Sequence, residues 1–303
     1  MSTMITKDSR CNEYQRRIFT AMNFISEHAK DNLSLEDIAR SAHFSKYHFH
    51  RLFKAFAGET VADFTRRTRL EKAANQLVLD ASINITDLAL EFGFSSAQNF
   101  TKQFTKQFGQ PPSFFKHRGN HEGSLAILQN NIERPQPDGA NFSDSQLSVE
   151  LVNRPAFNLA YTRFLGPYHS DSTLAYIAQL QEILKATQIE ITKPIGIAWD
   201  NPEITETTRC RYDIGVEWSN TFAPPELLHI QSFPASTCAV YQCEITNGDL
   251  EKPWDDLITS WLPYSGYTLS GLPGFETFEK FDLDDPSSPW VIEICLPIVP
   301  LGN

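Results

Sequence analysis

The chain has 303 residues, of which 41% are hydrophobic, and its formal net charge is −11. The length allows two domains of roughly 100 to 200 residues each, and without an apolar run of about 18 residues we expect neither a membrane span nor export, so a cytoplasmic protein. Five scattered cysteines, with no CxxC pair, favour free thiols over a disulfide framework or a zinc site.

The charge is divided unevenly along the chain. Residues 1–120 have a net charge of +5 and residues 121–303 a net charge of −16. A basic N-terminal part, the front domain, and an acidic C-terminal part, the back domain, predict two domains with different partners. These are a polyanion for the first and a neutral or cationic partner for the second. Helical periodicity predicts a first domain over 1–118, a stretch rich in Gly, Pro, Asn and Ser predicts a linker over 119–146, and strand-like runs predict a second domain over 147–303.

The front domain contains an internal repeat. The segment LEDIARSAHFSKYHFHRLFKAFAG (35–58) returns as ITDLALEFGFSSAQNFTKQFTKQFG (85–109). Each copy predicts a short helix, a tight turn and a longer helix that a serine can cap, so the domain is predicted to be all-α with two helix-turn-helix motifs. The helical segment between them, 60–79, is about 30 Å long, close to the roughly 34 Å between successive major grooves on one face of DNA.

The longer helix of each repeat has one apolar and one polar face. Phe49, Phe53, Phe100 and Phe104 fall on the apolar stripes, which predicts that they are buried. The polar faces carry the side chains that read base edges and hold phosphates, which predicts double-stranded promoter DNA as a partner. The predicted base contacts are Lys46, Tyr47, His50, Arg51, Gln98, Asn99, Thr101 and Lys102, and the predicted phosphate contacts are Lys54, Arg66, Arg67, Lys106 and Lys116.

These motifs, with the closing GQPPSFFK, resemble the AraC/XylS family of transcription regulators over roughly residues 11–118. The resemblance implies a sequence-specific DNA-binding regulator. It matches Lys46, Tyr47, His50 and Arg51 to base-reading positions of the first motif, and Ala97, Gln98, Thr101 and Lys102 to those of the second. Ala97 departs from the family pattern, since close relatives often have a polar residue there.

The back domain also contains a repeat, of the order strand, helix, strand, strand. The first copy runs from LAYTRFLGPYH (159–169) to RYDIGVEW (211–218), and the second from CAVYQCEITNG (238–248) to WVIEICLPI (290–298). Helices are predicted near 174–186 and 254–262. This order predicts an α+β domain in which two helices pack on an antiparallel sheet.

The last strand carries one acid among apolar residues. By strand alternation Ile292, Ile294 and Leu296 share one face, while Glu293 lies on the other with Val291 and Cys295. Glu293 is either a surface carboxylate or the anchor of an aromatic groove, and an acid among aromatic rings suits a lipophilic cation. The predicted ligand contacts are Glu293, Tyr168, Trp199, Trp218, Tyr241 and Trp254.

The runs FLGPYHS, IGIAWDNP, RYDIGVEW and VIEICLPI resemble, in this order, the GyrI-like effector-binding family over roughly residues 147–300. The resemblance implies that a Glu matching Glu293 lies in a groove between the two repeats. The two resemblances together indicate an architecture of the Rob type. They imply that a small organic effector, lipophilic or cationic, is sensed and transcription is altered.

Two other interpretations stay open. The acidic domain could be an interaction module that contacts RNA polymerase or another protein without any ligand. It could also be a small-molecule hydrolase with Glu293 and Tyr241 as an acid and base pair. No Ser-His-Asp arrangement or metal-ligand cluster is present in the sequence, so we predict no catalytic residues, no metal and no cofactor.

Overall fold

A computed structural model describes residues 7–80, 82–118, 147–168, 170–185, 193–202, 204–219, 224–246, 249–282, 285 and 288–301. The chain divides into two compact units, Met1–Glu122 and Gly123–Asn303. The predicted linker, 119–146, lies outside the described residues.

The first unit is helical, and the two predicted helix-turn-helix motifs are present. Side chains of Ser34, Thr60, Asn84 and Ser96 accept hydrogen bonds from backbone N–H groups in the first turns of four of its helices. Gly58 and Gly109, at positive φ, follow the last residues of the longer helices of the two motifs. The helices are α1 (Lys7–Glu27), α2 (Leu35–Ser41), α3 (Lys46–Ala57), α4 (Val61–Leu79), α5 (Ile85–Glu91), α6 (Ala97–Phe108) and α7 (Pro112–Arg118).

Phenylalanine rings form the core of each motif, as the stripes predicted. Phe49 and Phe53 are fully buried in the first motif, with their ring centroids 5.5 Å apart. Phe100 and Phe104 are fully buried in the second, at 5.3 Å. Burial of the apolar stripes turns the opposite faces of α3 and α6 to solvent.

The second unit is an antiparallel sheet with helical segments packed on one face. Its strands are β1 (Val149–Arg154), β2 (Phe157–Leu165), β3 (Pro194–Ala198), β4 (Arg211–Glu217), β5 (His229–Phe233), β6 (Ser236–Ile245), β7 (Tyr267–Leu269), β8 (Phe275–Lys280) and β9 (Trp290–Pro300). Among the described residues the strand order is β1-β6-β9-β8-β3-β4-β2-β5, and β7 pairs with β9. The main helices are α8 (Ser170–Lys185) and α9 (Glu251–Asp255).

The predicted repeat is confirmed as β2-α8-β3-β4 and β6-α9-β8-β9, and the pairing of β3 with β8 joins the two copies. Strands β1, β5 and β7 were not part of the predicted repeat. The second predicted helix differs from the expectation: α9 continues as a π-helical turn over Asp256–Trp261 and a 3₁₀ turn over Leu262–Tyr264. Such π turns are rare and often lie at functional sites.

The two faces of the sheet carry different clusters. Ile292, Ile294 and Leu296 lie in the core beneath the helices, here called the helix side, which confirms the alternation predicted for β9. Cys295 packs in a second cluster, on what we call the opposite face. Phe157 of β2 contacts Phe275 of β8 on this face, with ring centroids 5.8 Å apart. Since β3 and β4 lie between these strands, the sheet curves toward the opposite face.

Candidate functional site

The solvent face of α3 carries three of the four base-reading side chains predicted for the first motif. Lys46, His50 and Arg51 are exposed, and so is Lys54, a predicted phosphate contact. Helix α3 follows Ser45 and ends at Gly58, so these side chains follow one another on a regular helix with a basic face. The side chain of Tyr47 lies outside the described residues.

The solvent face of α6 forms a shallow groove of side chains with mixed chemistry. Gln98, Asn99, Lys102 and Lys106 are exposed, and Thr101 is half-buried. The groove is lined by Ala97, Gln98, Thr101, Lys102, Thr105 and Lys106. Amides, hydroxyls and ammonium groups on one helical face match the donor and acceptor pattern of a major groove. Asn99 is partly engaged already, because its Nδ2 donates to Ser95 Oγ at 3.1 Å.

Two predicted phosphate contacts on α4 have different surroundings. Arg66 is exposed and pairs with Asp63 at 2.6 Å. Arg67, by contrast, has a side chain only 13% exposed, and it binds Glu59 at 2.7 Å and Glu71 at 2.9 Å. The prediction of a phosphate contact is therefore corrected for Arg67, since two carboxylates already neutralise its guanidinium inside the fold.

Lys116 also has an internal partner. This half-buried residue of α7 donates from Nζ to the backbone oxygen of Ile83, 2.9 Å away, in the loop before α5. The bond ties the end of the helical unit to the start of the second motif. Contact with a phosphate stays a prediction for Lys116.

Glu293 lies on the opposite face of the sheet, paired with an arginine. Its Oε2 accepts from Arg154 at 2.8 Å and from Thr277 Oγ1 at 3.2 Å, and its side chain is 25% exposed. The Arg154 guanidinium also lies over the Phe275 ring, 5.6 Å from its centroid. Glu293, the carboxylate predicted to bind a cationic ligand, therefore already has a cationic partner within the protein, Arg154.

Asp213, the counterpart of Glu293 in the first repeat, is paired in the same way but more deeply. Its two oxygens accept from Arg163 at 2.6 Å each, and one of them also accepts from Trp199 Nε1 at 2.6 Å. The side chains of Asp213 and Arg163 are 1% and 0% exposed. In each repeat an arginine thus pairs with the carboxylate of the last strand on the opposite face, Arg163 from β2 of the first repeat and Arg154 from β1, outside the second.

The aromatic side chains predicted around Glu293 are not brought together there. Trp218, Tyr168, Tyr241 and Trp254 pack with the helix-side core, and Tyr168 OH donates to the backbone oxygen of Arg211 at 2.7 Å. Trp199 is on the opposite face but binds Asp213. The predicted acid and base pair is not assembled either, because Tyr241 stands opposite Ile294 and faces the helix side, away from Glu293.

A different acid, Glu276 of β8, lies among aromatic groups on the helix side. It is 1% exposed, stands opposite Ile294, and accepts from Trp254 Nε1 at 2.7 Å. Tyr212 OH is 3.5 Å from its other oxygen. Burial raises the pKa of Glu276 to about 7, against the hydrogen bonds from Trp254 and Tyr212, which lower it.

Further aromatic rings lie beside Tyr212, next to Glu276. The Tyr212 ring lies 5.8 Å from that of Tyr168 and 6.0 Å from that of Tyr176, centroid to centroid. Trp254, which covers the carboxylate, belongs to α9 immediately before the π-helical turn. The arrangement predicted for Glu293, an acid surrounded by aromatic rings, is therefore present around Glu276.

Two glycines make room for this cluster. A Cβ at Gly196 of β3 would lie 2.0 Å from Tyr212 Oη and 2.7 Å from Glu276 Oε2, and a Cβ at Gly274 would lie 2.4 Å from the Trp254 ring. Glycine inside a strand marks a close approach of another group. Gly196 within IGIAWDNP is therefore the sequence signal that could have indicated a closely packed site at this position. It does not identify Glu276 as the acid in that site.

Comparisons with known proteins agree with both units. Residues 147–299 match the model of the GyrI-like small molecule binding domain, and residues 38–118 match a helix-turn-helix domain. An uncharacterized HTH-type transcriptional regulator of Bacillus subtilis (strain 168), YbfP, is 37% identical over 103 residues, 34% of this chain and 35% of that protein. The right origin-binding protein of Escherichia coli (strain K12) is 39% identical over 93 residues, 31% of this chain and 32% of that protein. The chain thus spans about a third of the length of these relatives.

Among solved structures, the C-terminal domain of EcmrR is similar over 50% of this chain and 98% of its own, with 19% identity and a TM-score of 0.41. A transcriptional regulator from Chromobacterium violaceum is similar over 36% of this chain and 96% of its own, with 27% identity and a TM-score of 0.34. Among the described residues, no helix is long and apolar enough to cross a membrane, and no group of three or more His, Cys, Asp or Glu side chains is placed to hold a metal.

Proposed function

Since the chain belongs to the GyrI-like family and carries an AraC-type helix-turn-helix region of the Rob type before that domain, we propose that it regulates transcription in response to a small effector. The first unit binds promoter DNA, and the second binds a lipophilic organic cation at Glu276. The observation that carries the effector assignment is a fully buried carboxyl group that has aromatic partners and no cation beside it among the described contacts.

The DNA-binding part of the proposal depends on the exposed faces of α3 and α6. Lys46, His50 and Arg51 on α3 can donate to guanine edges and phosphates, and Gln98 with Lys102 on α6 can read adenine and guanine. Both helices are held by buried phenylalanine stripes, so their polar faces are presented as rigid surfaces. The net charge of +5 over residues 1–120 supports a polyanion as the partner of this unit, within a chain that is acidic overall.

The choice of a cation as effector follows from the chemistry at Glu276. A carboxyl group with a pKa near neutrality is ready to ionise when a positive charge arrives, because the cation replaces the lost hydration. Trp254 and Tyr212 direct their Nε1–H and OH groups at the carboxylate, and when Trp254 moves aside the two rings add attraction for a cation and apolar surface for its substituents. Glu276 is 1% exposed, so the cation reaches it only when Trp254 moves aside. The π-helical turn that follows α9 adjoins Trp254 and is the segment that can change conformation to allow this movement.

The experiment is a comparison of two probes of the same shape and opposite charge. Isothermal titration calorimetry of the full chain with tetraphenylphosphonium should give saturable binding, whereas tetraphenylborate should bind much more weakly. The variant Glu276→Gln should lose most of the affinity for the phosphonium, and Glu293→Gln should keep it.

Three results would contradict the effector assignment. Equal affinity for the two probes would show that charge does not select the ligand, and loss of affinity in Glu293→Gln alone would return the site to the opposite face. If neither probe binds while the chain still binds DNA and regulates transcription, the acidic unit acts instead as an interaction module for RNA polymerase or another protein.

A further inference from the structure

Arg69 of α4 reaches out of its own helix to the loop between α1 and α2. Its Nε donates to the backbone oxygen of Ala29 at 2.9 Å, and its NH2 donates to the backbone oxygen of Asp31 at 2.6 Å. Both carbonyls lie in the loop after α1, and the oxygen of Asp31 also accepts from the backbone N–H of Leu33 at 2.9 Å. The connecting helix is thus fastened, by two charge-assisted hydrogen bonds, to the loop that leads into the first helix-turn-helix motif.

The same guanidinium lies against the turn of the second motif. A Cβ added at Gly93 would lie 3.0 Å from Arg69 NH1 and 3.3 Å from its Cζ. Gly93 has a φ of +76°, and the matching residue of the first motif, His43, has a φ of +55°. Both turns therefore use the left-handed conformation, and at the second a side chain would also crowd the end of the Arg69 guanidinium, which would have to shift by a few tenths of an ångström.

A second link runs beside Arg69 at the surface. Lys30 Nζ binds Glu91 Oε1 and lies over the Phe92 ring, 5.3 Å from its centroid. Lys30 belongs to the loop that Arg69 holds, and Glu91 and Phe92 come immediately before Gly93. Residues 29–31, in the loop just before the first motif, and residues 91–93 of the second motif are therefore joined around the Arg69 guanidinium. We call this contact the brace.

We propose that the brace positions the two recognition helices, so that Arg69 sets the groove spacing that the chain accepts. This inference rests on the proposed binding of DNA. Helix α6 begins at Ala97, four residues after Gly93, so a displacement of the turn displaces the start of α6. Two binding modules on one chain gain affinity from each other only where their geometry matches that of their targets. A loosened brace therefore weakens binding at the correct spacing and makes incorrect spacings less unfavourable.

The experiment begins with a duplex selected from a random DNA library by the full chain. Affinities are then measured for this duplex, for a duplex with one base pair inserted between the two contacted grooves, and for one with either half scrambled. One inserted base pair rotates the second groove by roughly 35° and moves it about 3.4 Å, so we expect a large loss of affinity for the unaltered chain.

Five variants separate positioning from other effects. Arg69→Ala removes the guanidinium, and Lys30→Ala breaks only the surface link, where a change is not expected to unfold the unit. Gly93→Ala introduces both backbone strain and a contact with Arg69, whereas the double variant with Arg69→Ala keeps the strain alone. Arg16→Ala, which removes an exposed arginine of α1, is the matched control for loss of one positive charge.

We expect Arg69→Ala to lower affinity for the selected duplex by about tenfold and to reduce the loss caused by the insertion by a similar factor. Lys30→Ala should change both quantities in the same direction by a smaller factor, and affinity for the half-scrambled duplexes should stay within about twofold. Arg16→Ala should leave the insertion effect unchanged.

A purely structural role for Arg69 would lower affinity for all duplexes alike and leave the insertion effect intact. That result, obtained with folded Arg69→Ala or with Lys30→Ala, would overturn the inference while the proposed function stands. If the unaltered chain enriches no duplex from the library, the proposed function and the inference both fail.

Discussion

Replacing Glu276 with Gln should stabilise the second unit at neutral and alkaline pH. The pKa of this carboxyl group is raised by burial from 4.5 to about 7. Each pKa unit corresponds to about 1.4 kcal/mol, so the charged form lowers the free energy of unfolding by about 3 kcal/mol well above pH 7. Gln has nearly the same shape and keeps an oxygen that can accept from Trp254 Nε1, so the variant should recover about this amount at pH 8.

The sign of the pH dependence follows from the same pKa values. Below pH 4.5 the carboxyl group is protonated in the folded and in the unfolded chain, and the stabilisation that comes from its raised pKa is fully present. As the pH rises through about 7 this stabilisation is lost. The difference in stability between Glu276→Gln and the unaltered chain should therefore be near zero at pH 4.5 and grow toward pH 8.

Tryptophan fluorescence measures this unit alone. All five tryptophans of the chain lie between residues 199 and 290, so their emission reports the unfolding of the second unit. For a unit of this size about 3 kcal/mol corresponds to a rise of roughly 6 to 12 °C in the midpoint of thermal unfolding. Glu244→Gln, which removes an exposed carboxyl group of β6, should leave the midpoint within about 2 °C.

Binding of the cation should follow the opposite trend with pH. A cation beside Glu276 favours the charged carboxylate, so binding near pH 6 should release a proton, and affinity for tetraphenylphosphonium should fall about tenfold per pH unit below 7. Calorimetry in two buffers of different ionisation enthalpy measures that proton. Parallel stability curves for Glu276→Gln and the unaltered chain from pH 4.5 to 8, together with binding that releases no proton, would refute the reasoning.

Three further outcomes follow from the described contacts. Arg51→Ala and Lys102→Ala should each weaken sequence-specific DNA binding by about 1 to 3 kcal/mol in a competition assay, and unchanged affinity in both would contradict the groove assignment. Asp213→Ala leaves the fully buried Arg163 without its carboxylate, and denaturant unfolding should show a loss of about 3 to 5 kcal/mol; a loss below about 1 kcal/mol would mean that the pair is not buried in solution. Gly196→Ala should unfold or strongly destabilise the second unit, since its Cβ would overlap a tyrosine hydroxyl, and a midpoint unchanged within about 2 °C would contradict that packing.

Local signals were sufficient to predict the first unit. The repeat and the phenylalanine stripes are properties of single helices, and the structure has them where the sequence indicated. The predicted serine cap is present on α6, through Ser96, but Ser45 makes no side-chain bond at the start of α3. The role of Arg67 was missed because only Glu71, one helical turn away, could be paired with it from spacing. Glu59 lies outside α4 and completes the ion pair through the fold of the chain.

In the second unit, sequence patterns did not predict the contacts between different strands and helices. Alternation along β9 correctly separated Glu293 from Ile292 and Ile294, but it could not reveal that Arg154 from β1 would reach the carboxylate. The surroundings of Glu276 are determined by the register of β8 against both β3 and β9 and by Trp254, which α9 places beside the carboxylate. These are contacts between elements, which the periodicity of one segment does not specify.

The two acids also differ in what they do to stability, and this difference favours Glu276 as the ligand site. Glu293 is partly exposed and paired with an arginine, so its charge is compensated within the fold. The charged form of Glu276 destabilises the unit by about 3 kcal/mol at alkaline pH, and an apolar or amide side chain would avoid that loss. Groups whose pKa is strongly shifted by burial cluster at functional sites, because the same burial makes their charge effective toward a ligand. The charged form of Glu276 lowers the stability of the second unit, so the presence of a glutamate at this position is best explained by a cationic ligand that restores this stability when it binds.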